Sequence, residues 1–179
     1  MRKTFINTLT ELARKDKDVI LITGDLGYSV FEDFAREFPN QFVNCGVMEQ
    51  AMISIAAGMA LSGKKPYVYS IIPFATMRPF EQIRNDICYQ NLNVKIIGVG
   101  TGFAYGALGS THYAIEDISI LRPLPNITII SPADSIETKK LTLQSYNKGG
   151  PAYIRLLKPE TFLIPPNCKT ILSKPSVVK

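Results

Sequence analysis

Short apolar runs that alternate with helix-like segments are the feature that most constrains how this chain can fold. The runs are residues 19–23, 66–72, 93–99, 127–130 and 152–156, and a shorter one covers 41–44. Apolar runs of this length, without polar alternation, are typical of parallel strands that are buried on both faces. A chain of 179 residues is long enough for one domain with a substantial core. The sequence therefore predicts an α/β fold, a mostly parallel β-sheet with helices on both faces.

Helical spacing of apolar residues connects these predicted strands. Residues 1–15 and 30–38 both show this spacing. A further helix follows residue 134, where either Asp134 or Ser135 has a side chain suited to cap its first turn.

The end of the chain has a different character. Residues 158–179 contain prolines at positions 159, 165, 166 and 175 and show no periodicity. We therefore expect one domain over residues 1–157, followed by a proline-containing tail or linker over 158–179.

Composition excludes several classes of protein. Hydrophobic residues make up 46% and charged residues 20%, and no apolar run approaches the roughly 20 residues that span a bilayer. With no signal-like start, a cytoplasmic protein without a membrane partner is expected. The net charge of +5 is scattered except at Lys139 and Lys140, so we expect no nucleic-acid partner. Cys45, Cys88 and Cys168 lack paired spacing, which predicts reduced thiols and no metal site.

Residues 44–52 turn a short strand into a small-residue helix and carry one acidic side chain, Glu49. A carboxylate at this position is stabilised by the positive end of the helix dipole. The residues by themselves leave two interpretations open, a first-turn helix acid or a group that takes part in chemistry. The apolar continuation over 53–61 predicts a helix buried on nearly all sides.

Residues 74–86 begin another predicted helix with aromatic and charged groups, including Phe74, Arg78 and Phe80. Their aromatic rings are either core residues or a platform for a planar heterocycle. A glycine-rich loop over residues 100–109 follows a predicted strand and leads to His112, the only histidine. Such loops bind ligands at the carboxyl ends of parallel strands, which favours a functional histidine.

The three segments resemble, in the same order, motifs of the pyrimidine-binding domain of thiamine-diphosphate enzymes, in the transketolase branch. Residues 47–52 match Val-x-Glu-Gln-x-Met, and residues 78–84 match the Arg-x-Phe-Glu-Gln-Ile-Arg pattern of split transketolases. Residues 109–117 are similar to the segment Gly-x-(Ser/Thr)-His that ends in Glu-Asp. The resemblance covers roughly residues 1–157 and implies the thiamine-diphosphate-binding fold of the pyrimidine type.

The resemblance implies roles for individual residues. Glu49 would hydrogen-bond the aminopyrimidine ring of thiamine diphosphate and promote proton loss from its thiazolium carbon. Phe74, Arg78 and Phe80 would line the cofactor site, with an aromatic ring stacked on the pyrimidine. His112 would face the substrate and take part in catalysis.

The resemblance also implies partners. In the family, the diphosphate and magnesium are held by Gly-Asp-Gly followed at a distance by Asn, and this chain has no such arrangement. A separate subunit is therefore expected to hold the magnesium and complete a shared cofactor site. Pyrimidine-binding domains of the family also meet around a two-fold axis, which implies a homodimer.

One position departs from common transketolases. Their Gly-Glu-Asp-Gly segment contacts a sugar hydroxyl through its aspartate, whereas residues 106–109 place Leu108 there. Leu108 cannot accept a hydrogen bond, so an unusual sugar or sugar phosphate is expected as substrate.

The leading hypothesis is a component of a heteromeric transketolase-like enzyme that transfers a two-carbon ketol unit between sugars. The alternatives are a deoxyxylulose-phosphate synthase-like component, the β component of a 2-oxo acid dehydrogenase, and a non-catalytic module that retains the fold.

Overall fold

The computed structural model describes residues 1–161 and 170–172, and six parallel strands form its central sheet. The strands are β1 (Val19–Thr23), β2 (Phe42–Asn44), β3 (Lys65–Ile71), β4 (Lys95–Val99), β5 (Thr128–Ile130) and β6 (Ala152–Leu156). Their order across the sheet is β2-β1-β3-β4-β6-β5, and all five neighbouring pairs are parallel. The predicted α/β class with a mostly parallel sheet is confirmed.

Helices cover both faces of this sheet. They are α1 (Arg2–Ala13), α2 (Glu32–Glu37), α3 (Glu49–Leu61), α4 (Ile72–Thr76), α5 (Phe80–Gln82), α6 (Asp117–Leu121) and α7 (Ser135–Lys148). Asp134 is the residue that caps α7, because its Oδ1 accepts a hydrogen bond of 2.8 Å from the Glu137 backbone N–H.

The core consists of two apolar clusters, one on each face of the sheet. Alternate residues of a strand point to opposite faces, so Leu21 belongs to the cluster under α1 and α7, and Ile22 to the cluster under α3. Every residue of β1 and β4 is buried, as expected for central strands covered on both faces.

Residues 74–86 differ from the single helix start that the sequence predicts. Helix α4 begins earlier, α5 starts only after Pro79, and a six-residue π-helix, Ile83–Cys88, continues from it. Pro79 has no backbone N–H and disfavours helical geometry at Arg78, so the helix is interrupted between α4 and α5. The interruption places the Arg78 side chain at an end of the helical segment.

Helix α3 is buried on one side only in the single chain. Met52 and Ile53 are completely buried, whereas Ile55 is 38% and Leu61 66% exposed. The prediction of burial on nearly all sides is therefore wrong for the chain by itself. The sheet covers one face of α3, and no described element covers the opposite one.

Most of the predicted tail, residues 158–179, lies outside the described residues, so the domain boundary at residue 157 stays a prediction. The described piece 170–172 contacts α7, where the Gln144 side chain bonds both Thr170 and Leu172 backbone groups. Cys45 and Cys88 are free thiols, and Cys168 is outside the described range. None of the helices in this part of the chain has the length and apolar character to cross a membrane.

Candidate functional site

The candidate site lies at the carboxyl edge of the sheet, where the strand order reverses. Strand β1 lies between β2 and β3, so the connections leave β1 in opposite directions. Parallel α/β sheets bind ligands in the crevice at such a point. The segments that carry Glu49, Phe74 and His112 follow β2, β3 and β4 and meet at this edge.

Glu49 occupies the first turn of α3 and is only 5% exposed. The turn before it needs Gly46, whose φ of +70° is in the left-handed region. The Asn44 side chain fixes this turn, because its Oδ1 accepts 3.0 Å hydrogen bonds from the backbone N–H groups of Asp25 and Gly46. The sequence pattern did not single out Asn44, whose role depends on two neighbouring strand ends.

Arg78 contacts both Glu49 and Phe74. Its Nη1 donates a 2.9 Å hydrogen bond to Glu49 Oε1, and the two side chains are 46% and 6% exposed respectively. The same guanidinium lies over the Phe74 ring, with Cζ 3.9 Å from the ring centre. One planar cation therefore covers an aromatic face and pairs with a buried carboxylate.

His112 extends this group from the loop after β4. Its ring contacts that of Phe74 edge-on, with centres 4.9 Å apart, and lies 6.2 Å from that of Tyr105. Thr111 Oγ1 lies 3.0 Å from His112 Nδ1, which leaves Nε2 as the ring nitrogen available to a ligand. Gly100 makes room for Tyr105, because a Cβ at this position would lie 2.1 Å from the tyrosine ring.

Asp117 anchors the loop that carries His112. Its Oδ2 accepts hydrogen bonds from Arg155 Nε at 2.7 Å and from the Tyr153 hydroxyl at 2.6 Å, and Arg155 Nη2 also bonds the Ala114 carbonyl. Burial and the adjacent carboxylate raise the pKa of Tyr153 well above its ordinary value, so its hydroxyl stays a donor at neutral pH. The Glu-Asp end of the third motif signalled Asp117 without giving its role.

Two of the predicted site residues lie apart from this group. Phe80 packs against the apolar cluster under α3, and no ring contact found among the described residues involves it. Leu108 is 56% exposed on a 3₁₀ turn, and His112 lies on the next such turn. The structure therefore brings together Glu49, Phe74, Arg78 and His112.

The chemistry of this group suits a planar, nitrogen-rich ring. A guanidinium already satisfies the Glu49 carboxylate with an N–H donor while it lies flat on Phe74. A protonated aminopyrimidine offers the same features, namely a flat π system, N–H donors and positive charge. The residues present therefore fit such a ring.

A parallel α/β sheet with a buried acid and an aromatic face at its switch point defines a domain that binds a planar heterocycle. The chain belongs to the family described as the transketolase pyrimidine-binding domain, whose model matches residues 1–162. The family resemblance that the sequence motifs indicate is thus confirmed, and the family uses thiamine diphosphate.

Relatives of known name support this assignment. One of the two subunits of an apulose-4-phosphate transketolase from Phocaeicola vulgatus is 46% identical over 156 residues, which cover 87% of this chain and 50% of that protein. The 6-deoxy-6-sulfo-D-fructose transketolase subunit SqwH from a Clostridium species is 34% identical over 181 residues, which cover 100% of this chain and 56% of that protein. Both relatives are named as subunits of transketolases.

A solved structure is also similar to this chain. It is a split gene transketolase in the form of an inactive beta4 tetramer, with a TM-score of 0.83 at 35% identity. The match covers 95% of this chain and 55% of that one. The chain spans about half the length of the proteins that it matches here.

Proposed function

We propose that this chain is the pyrimidine-binding component of a heteromeric transketolase-like enzyme that transfers a two-carbon ketol unit between sugars in the cytoplasm. The observation that carries the proposal is the buried Glu49 carboxylate beside the Phe74 ring, at the carboxyl edge of the sheet. The naming of two relatives as transketolase subunits supports a divided enzyme over the deoxyxylulose-phosphate synthase-like and 2-oxo acid dehydrogenase alternatives.

Each residue of the site has a distinct task in this proposal. Thiamine diphosphate, when bound, supplies the carbanion chemistry. Glu49 holds a proton at the pyrimidine ring nitrogen, and Phe74 provides a face on which the ring stacks. Arg78 borders this ring, Phe80 supports the segment from the core side, and His112 Nε2 donates to substrate oxygens.

We further propose that a partner subunit holds the diphosphate and magnesium. Among the described residues, no group of three or more His, Cys, Asp or Glu side chains is placed to hold a metal. The test is calorimetric titration with thiamine diphosphate and magnesium, of the chain alone and of the chain with the partner that co-purifies with it. We expect micromolar binding only by the complex. Micromolar binding by the chain alone would contradict a shared site.

A homodimer is proposed from the exposed apolar side of α3. Ile55 and Leu61 form part of this side, and an apolar surface of this kind marks a contact with another protein. A related protein is described as forming a beta4 tetramer, which supports contact between copies. Light scattering at high concentration checks the proposal, and a strictly monomeric species would contradict it.

His112→Ala is expected to reduce kcat/KM of the assembled enzyme by about ten- to a hundredfold. The reason is that a hydrogen bond to a charged or developing-charge group contributes roughly 1.5–3 kcal/mol. Cofactor binding, measured by calorimetry, should change little, because His112 faces the substrate. Thr111→Ala on the same turn is the control for loop structure. A His112→Ala enzyme with normal kcat/KM would remove this residue from the mechanism.

Leu108→Asp is expected to increase activity toward ordinary ketose phosphates, because it restores a hydroxyl acceptor at an exposed loop position. The two named relatives act, by their names, on apulose 4-phosphate and a sulfonated deoxyfructose, which supports an unusual sugar here as well. The measurement is kcat/KM for a panel of donor and acceptor sugars. If the unmodified enzyme already prefers xylulose 5-phosphate and the variant gains nothing, Leu108 does not set specificity.

A further inference from the structure

Arg78 occupies, in this structure, the two contacts that the proposed cofactor ring requires. Its Nη1 donates to Glu49 Oε1 at 2.9 Å, and its Cζ lies 3.9 Å from the centre of the Phe74 ring. The carboxylate is almost completely buried, whereas the Arg78 side chain is nearly half exposed. The guanidinium therefore reaches into the site from the solvent side.

Guanidinium and a protonated aminopyrimidine are chemically alike at this site. Both are flat cations that donate N–H groups in the plane and present a π face to a neighbouring ring. Only one of them can lie on the same face of Phe74 and donate to the same oxygen of Glu49. Occupation by one excludes the other.

Arg78 is also free to leave this position. Its stem is long and its side chain is half exposed, and it sits at the interruption between α4 and α5. Withdrawal of the guanidinium into solvent leaves the two helices and the buried Glu49 backbone in place. The ion pair is partly exposed, so its contribution is modest and reversible.

We propose that Arg78 acts as an internal substitute for the cofactor, which pairs with Glu49 until the pyrimidine ring displaces it and thereby sets the cofactor affinity of the enzyme. The proposal rests on the proposed function, because the displacing ligand is the cofactor of that reaction. A buried carboxylate is thus kept paired in the cofactor-free chain, and the cofactor must compete for it. The measured affinity is then the intrinsic affinity reduced by the fraction of molecules in which the site is open.

Arg78→Ala tests the proposal in the chain assembled with its partner subunit. Calorimetric titration with thiamine diphosphate and magnesium gives the dissociation constant, and stopped-flow fluorescence gives the association rate. If the guanidinium occupies the site about nine times in ten, its removal should tighten binding by up to about tenfold. Association should accelerate to a similar extent, because the site no longer has to open. Arg78→Lys, which keeps the charge but loses the flat fork, should give an intermediate affinity.

The matched control is Arg84→Ala, since Arg84 is an exposed arginine of the same segment whose side chain bonds only its neighbour Asn85 among the described residues. This variant should leave both constants unchanged. The effect of Arg78→Ala should also disappear in a Glu49→Gln background, because the competing ion pair is already lost there. Thermal unfolding of every variant verifies that the fold is retained.

Two results overturn the inference. Unchanged or weaker cofactor binding by Arg78→Ala means that Arg78 stays in the loaded site as a positioning residue for Glu49 or the ring. An equal gain in the Arg84→Ala control means that the effect is one of general charge. Failure of the unmodified assembly to bind thiamine diphosphate would instead contradict the proposed function, so the two failures are distinguishable.

Discussion

Replacing Glu49 with glutamine is expected to lower the turnover of the assembled enzyme by about 10²–10⁴-fold, the size of a general acid–base contribution. The substitution keeps the shape of the side chain in a site where it is only 5% exposed. It removes the negative charge that stabilises a proton on the pyrimidine ring. Cofactor affinity should fall much less than turnover, because stacking on Phe74 remains.

Hydrogen–deuterium exchange at the thiazolium carbon of the bound cofactor is the direct measurement for this prediction. We expect the exchange rate to fall along with turnover in the Glu49→Gln enzyme. Glu81→Gln is the matched control, because Glu81 is an exposed acid in the first turn of α5. Exchange at the unmodified rate in Glu49→Gln would remove Glu49 from cofactor activation.

Replacing Asp117 with alanine is expected to lower the free energy of unfolding by about 3–5 kcal/mol, the usual effect of removing one partner from a buried ion pair. Asp117 is 1% exposed, and the side chain of its partner Arg155 only 18%. The substitution leaves the guanidinium and the Tyr153 hydroxyl without their shared acceptor. Because Arg155 also bonds Ala114, the loop that carries His112 should become more mobile.

Urea unfolding measures this loss, and amide hydrogen exchange across residues 100–116 reports the loosened loop. Asp33→Ala is the control, since its carboxylate is 93% exposed in a surface pair with Arg36 and should change stability by less than about 0.5 kcal/mol. The double variant Asp117→Leu with Arg155→Met should recover part of the loss, because it leaves no buried charge unpaired. A loss below about 1 kcal/mol in Asp117→Ala would contradict the expected dependence of the fold on this buried pair.

The sequence by itself determined the class of fold and most of the elements. Continuous apolar runs such as residues 19–23 and 152–156 are best buried in strands covered on both faces, and the sheet is parallel as predicted. Local chemistry was also sufficient for the start of α7, where the capping side chain lies three residues from the N–H that it accepts. Short-range periodicity and capping depend on neighbours in the chain, so they can be read from the sequence.

The motifs also identified Glu49, Phe74, Arg78 and His112 as members of one site, by resemblance. They did not reveal how these residues contact one another. The sequence placed Arg78 beside the cofactor, whereas the structure pairs it with a carboxylate 29 positions earlier. That pairing depends on β2 and β3 lying on either side of β1 and on the interruption at Pro79.

Tertiary structure alone decided the remaining features. Asp117 bonds Arg155 across 38 positions because β4 and β6 are neighbours, which no local pattern specifies. Similarly, α3 is apolar around its circumference, but the sheet can cover only one of its sides. A sequence pattern records which side chains need burial or a partner, whereas the packing of distant segments determines which groups meet that need.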